Sequence, residues 1–402
     1  MSHTQPLDRS PQSAQARQCP VCASTLLTRV LEIEQVPVLC NVLWPSRDEA
    51  ISAPRGDIHL EFCENCGHLY NAAFDPALLE YTQVYENSLH FSPRFQTYAS
   101  DLAHRLVETY DLRDKDIIEI GSGKGDFLRL LSRLGGNRGV GFDPSYEPDQ
   151  DPGGAEPVRF VEDLYSPRYA GYKADFICCR HVLEHIEFPR DFIASVRESI
   201  GERQTVVYFE VPNVAYTLRD LGIWDLIYEH FSYFSLYSLG RLFAGAGFDV
   251  LALNEAYGGQ FLGIEAAPHN DTHASRNGWT DPAVLQSYVA AFGQRYRDKV
   301  DKWQHELERL HQAGKRIVIW GGGSKGVTFL NVLKTGSTVS AVVDINPRKQ
   351  GRYVAGTGQQ IIAPDALRNS PPDVILVMNP LYQDEIRQMT TDLGLKPELM
   401  LV

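Results

Sequence analysis

The sequence predicts an α/β protein: a Rossmann-like sheet, parallel except for an antiparallel closing hairpin, with a small cysteine knuckle before it and a second Rossmann-like α/β domain after it. Three observations carry this. From Asp111 onward, short β-branched runs alternate with longer amphipathic stretches, which implies a parallel sheet covered by helices. Two glycine loops, Gly121-Ser-Gly-Lys-Gly125 and Gly321-Gly-Gly-Ser-Lys-Gly326, each follow an apolar run and open a helix. Two CxxC pairs precede both loops.

Bulk properties narrow the class. A chain of 402 residues exceeds the size at which one core keeps growing, so two or three domains are expected. Hydrophobic residues at 43% and charged residues at 22% match an ordinary globular protein that folds without staples. A net charge of −13 without clustered Lys and Arg excludes a nucleic-acid surface. The stretch Met1 to Gln18 is polar, and no apolar run approaches the roughly 18 residues of a membrane span, so a cytoplasmic protein is expected, with no membrane partner.

Along the chain, residues 1–18 read as a mobile tail and 19–84 as the cysteine domain. Within 85–280, Asp116 to Ile120, Asn137 to Phe142, Ala174 to Cys179 and Thr205 to Glu210 read as strands of the parallel sheet. Phe248 to Ala256 and Gln260 to Ala267, separated by Tyr257-Gly258-Gly259, read as the closing hairpin. Between 281 and 314, Leu285, Val289, Phe292, Tyr296, Val300, Trp303, Leu307 and Leu310 recur at spacings of three and four, the mark of one long amphipathic linker helix. The final domain spans 315–402.

Cys19-Pro-Val-Cys22 and Cys63-Glu-Asn-Cys66 each place two thiolates on one tight turn. Four thiolates at ~2.3 Å complete tetrahedral zinc and leave no open position, so Cys19, Cys22, Cys63 and Cys66 predict a structural zinc ion. A pair of redox CxxC motifs is the rival reading. Cys40, Cys178 and Cys179 read as small buried hydrophobes.

At Glu119-Ile-Gly121-Ser-Gly123-Lys-Gly125 a strand ends, a loop lets a ligand approach the backbone, and a helix N-terminus offers free N–H groups. The next strand ends at Asp143, about twenty residues on, where an acid accepts ribose hydroxyls. Glu162-Asp163 follows a further apolar run, and Asp163 is the candidate to meet an adenine amino group. Downstream, Ile223-Trp-Asp-Leu-Ile-Tyr228-Glu229-His230-Phe-Ser-Tyr-Phe-Ser235 concentrates titratable and aromatic groups beyond the carboxyl end of the sheet. A His beside a Glu among aromatics suits a general base in a partly dry pocket; an aromatic core helix with one hydrogen-bonded His is the alternative.

The acid-led glycine loop, Asp143 and the block Asp175-Phe-Ile-Cys-Cys-Arg-His181-Val-Leu-Glu184-His185-Ile resemble, in order and spacing, the class I S-adenosylmethionine-dependent methyltransferases. That resemblance implies donor contacts from Glu119, Gly121, Gly123, Gly125, Asp143, Asp163 and His181, with Glu184 and His185 supporting the loop. The whole layout is similar to the nucleotide-sugar C-methyltransferases that build branched sugars for antibiotics, a secondary-metabolite role. It implies a nucleotide-sugar acceptor held partly by Lys325, Asp344 and Lys349, and an enolate formed by His230 with Glu229 orienting it and Tyr228 nearby. The family pattern Tyr-x-Glu-His reads here Ile227-Tyr228-Glu229-His230, a departure that bears on which sugar is accepted. Two other readings stand beside this one: an O- or N-methyltransferase of another polar metabolite, and an NAD-binding enzyme or sensor, since Gly321-x-Gly323-x-x-Gly326 followed by Asp344 fits the dinucleotide fingerprint.

Overall fold

A computed structural model describes residues 17–79, 85–147, 156–270 and 282–402; most of the expected tail, the 84/85 boundary and the 280/281 boundary lie outside or at the edge of the described residues. The two cysteine turns share one local geometry. In each, the residue after the second cysteine adopts a left-handed conformation, Ala23 at φ 59° and Gly67 at φ 63°. Its N–H donates to the carbonyl of the first cysteine, at 2.9 Å for Ala23 to Cys19 and 2.8 Å for Gly67 to Cys63. Between the turns run β1 (Leu27–Pro37) and β2 (Arg55–Cys63), followed by β3 (Leu69–Asn71), all antiparallel. The sheet's fourth strand comes from far along the chain: β9 (Ser232–Tyr233) pairs with β3, Leu69 opposite Tyr233. The aromatic segment is therefore stitched to the cysteine domain.

The central sheet comprises β4 (Asp116–Ile120), β5 (Arg138–Phe142), β6 (Val158–Val161), β7 (Phe176–Arg180), β8 (Val206–Pro212), β10 (Phe248–Ala256) and β11 (Phe261–Pro268). Its order is β10-β11-β8-β7-β4-β5-β6, with β11 antiparallel to both neighbours and the other pairs parallel. From β4 the chain steps outward through β5 and β6, then returns to β7 on the other flank. The reversal opens a crevice at the carboxyl ends of β4 and β7, the place where ligands bind in open α/β sheets. Helix Pro93–Thr109, capped by Ser92, covers one face through Phe95, Ala99, Leu102, Ala103 and Leu106.

In the C-terminal sheet, β12 (Ile317–Trp320), β13 (Val339–Val343), β14 (Ile361–Ile362), β15 (Val374–Val377) and β16 (Glu398–Leu401) are all parallel, in the order β14-β13-β12-β15-β16. It has its own switch point, between β12 and β15. Helix Pro282–Gln312 spans 31 residues. Seven of its periodic apolar side chains, from Leu285 to Leu310, are buried. At about 1.5 to 3 kcal/mol each they contribute roughly 10 to 20 kcal/mol gross, so the helix is a packed element and not a free tether. The core it enters also contains β1 and β2 residues, Trp224, Tyr228, Phe329 and the C-terminal strands. One apolar core thus joins the cysteine domain, the aromatic segment and the C-terminal sheet.

Candidate active site

The first glycine loop follows from its residue types. Gly121 has φ 70° and an added Cβ would lie 2.0 Å from Val182 Cγ2, so only glycine fits. Gly123 also has a positive φ of 53°, yet a Cβ there would meet nothing within 4 Å: its face is open. Asp143 stands at the rim of that space. Its Oδ2 accepts from Gly123 N at 2.7 Å and its Oδ1 from Ser145 N at 2.8 Å. The helix Asp126–Gly135 starts at Gly125, which has no side chain to cap it, so among the described residues only Leu128 N of its first turn is taken by a side chain, that of Glu119. Glu119 is buried beneath the loop, accepts from Leu128 N at 3.1 Å, and burial pushes its carboxyl up to about 8. An open face over a glycine, a carboxylate beside it and uncapped N–H groups fit a nucleoside donor. Asp163 is turned differently: its carboxylate is held by Tyr169 at 2.5 Å, Leu164 N and Arg168.

On the opposite wall of the crevice, β7 ends in Arg180, His181 follows it, and β8 carries Glu210 within reach of both. The Glu210 carboxylate is fully buried and takes Arg180 Nε at 3.0 Å, Tyr208 Oη at 2.9 Å and Tyr98 Oη, with His181 Nε2 also at 3.0 Å. His181 is a non-glycine residue at φ 56°, its ring 4.5 Å from Phe261. Burial opposes its charge, but Glu184 and Glu210 outweigh burial and hold its pKa up at about 9. A histidine raised from 6.5 to about 9 contributes stability that is fully present below the lower value and lost as pH rises through the upper. The melting temperature is expected to fall across that window, with His181→Asn flattening the decline. A parent protein with an equally flat profile contradicts the assignment.

The aromatic segment divides its side chains between two directions. Tyr228 points into the cysteine domain: its ring stacks on Phe74 at 5.7 Å, its hydroxyl accepts from Asp75 N at 2.8 Å, and it occupies the space that a Cβ on Gly56 would need, 2.3 Å from Tyr228 Cε2. It is core, away from His230. Glu229, fully buried, accepts from Cys40 N and Tyr85 Oη, so its carboxylate ties the loop down and does not orient His230. Its carbonyl oxygen lies 2.9 Å from His185 Nδ1. A carbonyl only accepts, so His185 carries a proton on Nδ1. The His185 and His230 rings are 5.0 Å apart. His230 is partly open to solvent while its Nδ1 is buried, and burial, with His185, His181 and Lys325 nearby, pushes its pKa well below 6.5. At neutral pH it is an uncharged imidazole, able to take a proton.

The second glycine loop brings two of the three expected acceptor residues together. Asp344 Oδ2 accepts from Gly322 N at 2.8 Å, and buried Lys349 donates to Gly322 O at 3.3 Å and to Asn41 Oδ1 at 3.2 Å. Lys325 instead pairs with Asp225 of the aromatic segment. Asn41 Nδ2 reaches Tyr85 Oη at 3.4 Å, so a polar chain runs from Lys349 through Asn41 and Tyr85 to Glu229. Cys40, Asn41, Tyr85 and Glu210 escaped the sequence reading because they act from distant segments. His185 had a signal: the dipeptide Glu-His occurs at 184–185 and again at 229–230.

At the N-terminus the four cysteine sulfurs converge within 4.8 Å of one another, with Cys19 to Cys66 at 3.5 Å and Cys22 to Cys63 at 3.6 Å.

Comparison with known proteins agrees with the crevice. Residues 91–253 match a family described as a methyltransferase domain, and residues 281–395 match the C-methyltransferase C-terminal domain. The chain is an S-adenosylmethionine-dependent methyltransferase of α/β fold, and S-adenosylmethionine is its methyl donor. It is 26% identical over 408 residues to the C-methyltransferase NovU of Streptomyces niveus, covering 92% of this chain and 91% of that protein. Among solved structures, a 1,6-didemethyltoxoflavin-N1-methyltransferase from Burkholderia thailandensis is 15% identical with a TM-score of 0.35, over 44% of this chain and 82% of its own. Magnesium protoporphyrin IX methyltransferase from Synechocystis PCC 6803 is 16% identical with a TM-score of 0.35, over 44% and 84%. No helix among the described residues is long and apolar enough to cross a membrane.

Proposed function

We propose that this enzyme methylates a carbon atom beside the ketone of a nucleotide-linked sugar, with His230 as general base. The observation that carries carbon methylation is the pairing, in one chain, of the donor crevice with the C-methyltransferase C-terminal domain at 281–395, an arrangement that also aligns over nearly the full length with NovU. The nucleotide sugar rests on the motif resemblance of the aromatic segment and the second glycine loop.

When bound, S-adenosylmethionine supplies an electrophilic methyl group on a sulfonium. A carbon acceptor must first become nucleophilic, and an adjacent ketone acidifies its C–H bond. His230 takes that proton, the electron pair of the C–H bond passes into the enolate, and the carbon is then a nucleophile. Asp143, Glu119 and the loop of Gly121, Gly123 and Gly125 hold the donor, with His181 at its methionine end. Asp344, Lys349 and Lys325 bind the nucleotide end of the acceptor, Lys325 exchanging Asp225 for phosphate. We assign 19–84, 85–280, 281–314 and 315–402 as the domain boundaries. A mass scan of candidate nucleotide sugars with donor present tests the reading: a gain of one methyl on carbon supports it, and a methyl on oxygen or nitrogen replaces it.

The cysteine site is proposed to hold structural zinc in a reducing, cytoplasmic setting. Zinc–sulfur bonds of ~2.3 Å at tetrahedral angles put the sulfurs about 3.8 Å apart, close to the 3.5 and 3.6 Å separations here. Purified protein should hold close to one equivalent of zinc. Cys63→Ser should lower the melting temperature and solubility more than it lowers the kcat of the folded fraction; a metal-free wild-type protein of undiminished stability argues against the site.

A further inference from the structure

Glu184 belongs to the short turn Leu183–His185 that follows β7, and it is only 1% exposed. Its Oε1 lies 3.7 Å from His181 Nδ1. One carboxylate oxygen of Glu184, one nitrogen of His185 and one nitrogen of His230 all fall within 4.8 Å of one another. Glu184 Oε2 and His230 Nδ1 are both buried, and neither has a hydrogen-bond partner among the described residues. Two buried polar atoms left unpaired are costly, and these two are complementary, because a ring N–H fits a carboxylate.

The neighbouring groups do not offer that acceptor. Glu229 is committed to Cys40 N and Tyr85, and Glu210 to Arg180, Tyr98 and Tyr208. His185 has committed Nδ1 to the Glu229 carbonyl. Of these three carboxylates, Glu184 alone keeps an oxygen without a hydrogen-bond partner among the described residues. The charges facing His230 are otherwise positive, from His185, His181 and Lys325, with the Tyr233 ring 5.9 Å away and the Cys179 thiol beside Glu184.

We propose that Glu184 is the positioning carboxylate of the His185–His230 pair. It accepts the N–H of His230 Nδ1, fixes the ring so that Nε2 is the basic nitrogen, and faces the imidazolium formed when Nε2 takes a proton from the acceptor. The carboxylate transfers no proton itself. This inference rests on the assignment of His230 as base.

The test uses the full-length zinc-loaded protein with 15N-labelled histidine, the His185 and His230 signals being assigned through His185→Gln and His230→Gln. Ring nitrogen shifts should show neutral His230 protonated on Nδ1. Glu184→Gln, which keeps the shape and an acceptor oxygen but removes the charge, should lower the pH at which the pair titrates by about one unit. The acid limb of the kcat profile should move down by the same amount, with kcat reduced about tenfold or more and donor affinity unchanged, while Glu184→Asp keeps the limb in place. Neutral His230 protonated on Nε2 in the parent, or an unmoved titration in Glu184→Gln, overturns the proposal. So does uptake of a second equivalent of zinc that abolishes both titrations, which would make the three residues metal ligands. The nuclear magnetic resonance arm needs no acceptor, so it can succeed even where no keto sugar is turned over, a result that would count against the base assignment alone.

Discussion

Replacing His230 with alanine is expected to lower turnover by about 10²- to 10⁴-fold, the usual contribution of a general base, with little change in donor affinity. Three features of the site set this expectation. The imidazole is neutral because burial and neighbouring cations push its pKa well below 6.5. It is partly open to solvent, so an acceptor can reach it. Carbon acidity requires a base, unlike the attack of an already nucleophilic amine. The more direct observable is hydrogen exchange. In deuterated buffer without donor, the parent should wash deuterium into the carbon beside the ketone of a keto-sugar nucleotide, and His230→Ala should not. Equal exchange in both moves the role to another group of the crevice, and His185, its ring 5.0 Å from that of His230, is the first to test. Absence of exchange with every keto sugar sinks carbon methylation and leaves the O- or N-methyl reading.

What the sequence could reveal here depended on whether a signal was local. Ile117, Ile118 and Ile120 fill a strand buried on both faces, and such runs mark parallel strands without any knowledge of their neighbours. The hairpin around Tyr257-Gly258-Gly259 and the helix through Leu285 to Leu310 were legible for the same reason, since period and turn residues are read within one window. The aromatic segment was legible as a dense site but not in its orientation. Tyr228, Glu229 and His230 are consecutive, yet Tyr228 fills the cysteine-domain core over Gly56 while Glu229 turns to Tyr85, 144 residues away. Sequence spacing cannot show that Ser232 and Tyr233 add a strand to the cysteine-domain sheet, and that pairing decides which way each neighbour points. The carboxylate beside a histidine in sequence, Glu229, was therefore mistaken for its partner in space.

The same contrast sharpens the donor-site prediction. Gly123→Val is expected to abolish detectable S-adenosylmethionine binding, because its side chain would project into the open face over the loop, where nothing of the protein lies within 4 Å of a Cβ. The positive φ of 53° adds local strain, so the melting temperature should also drop modestly. Strain alone would be shared by Gly201→Val, whose φ of 62° also has open space around it but which sits at the far end of helix Pro189–Ile200. That variant should lose stability and keep donor affinity. Asp143→Ala removes both the proposed ribose acceptor and the anchor of Gly123 N, and should weaken binding by about 1 to 3 kcal/mol, or roughly 5- to 150-fold. Calorimetry separates the cases: normal donor affinity in both Gly123→Val and Asp143→Ala would remove the donor from this crevice, whereas loss in those two and retention in Gly201→Val ties it to the loop between β4 and the helix at Asp126.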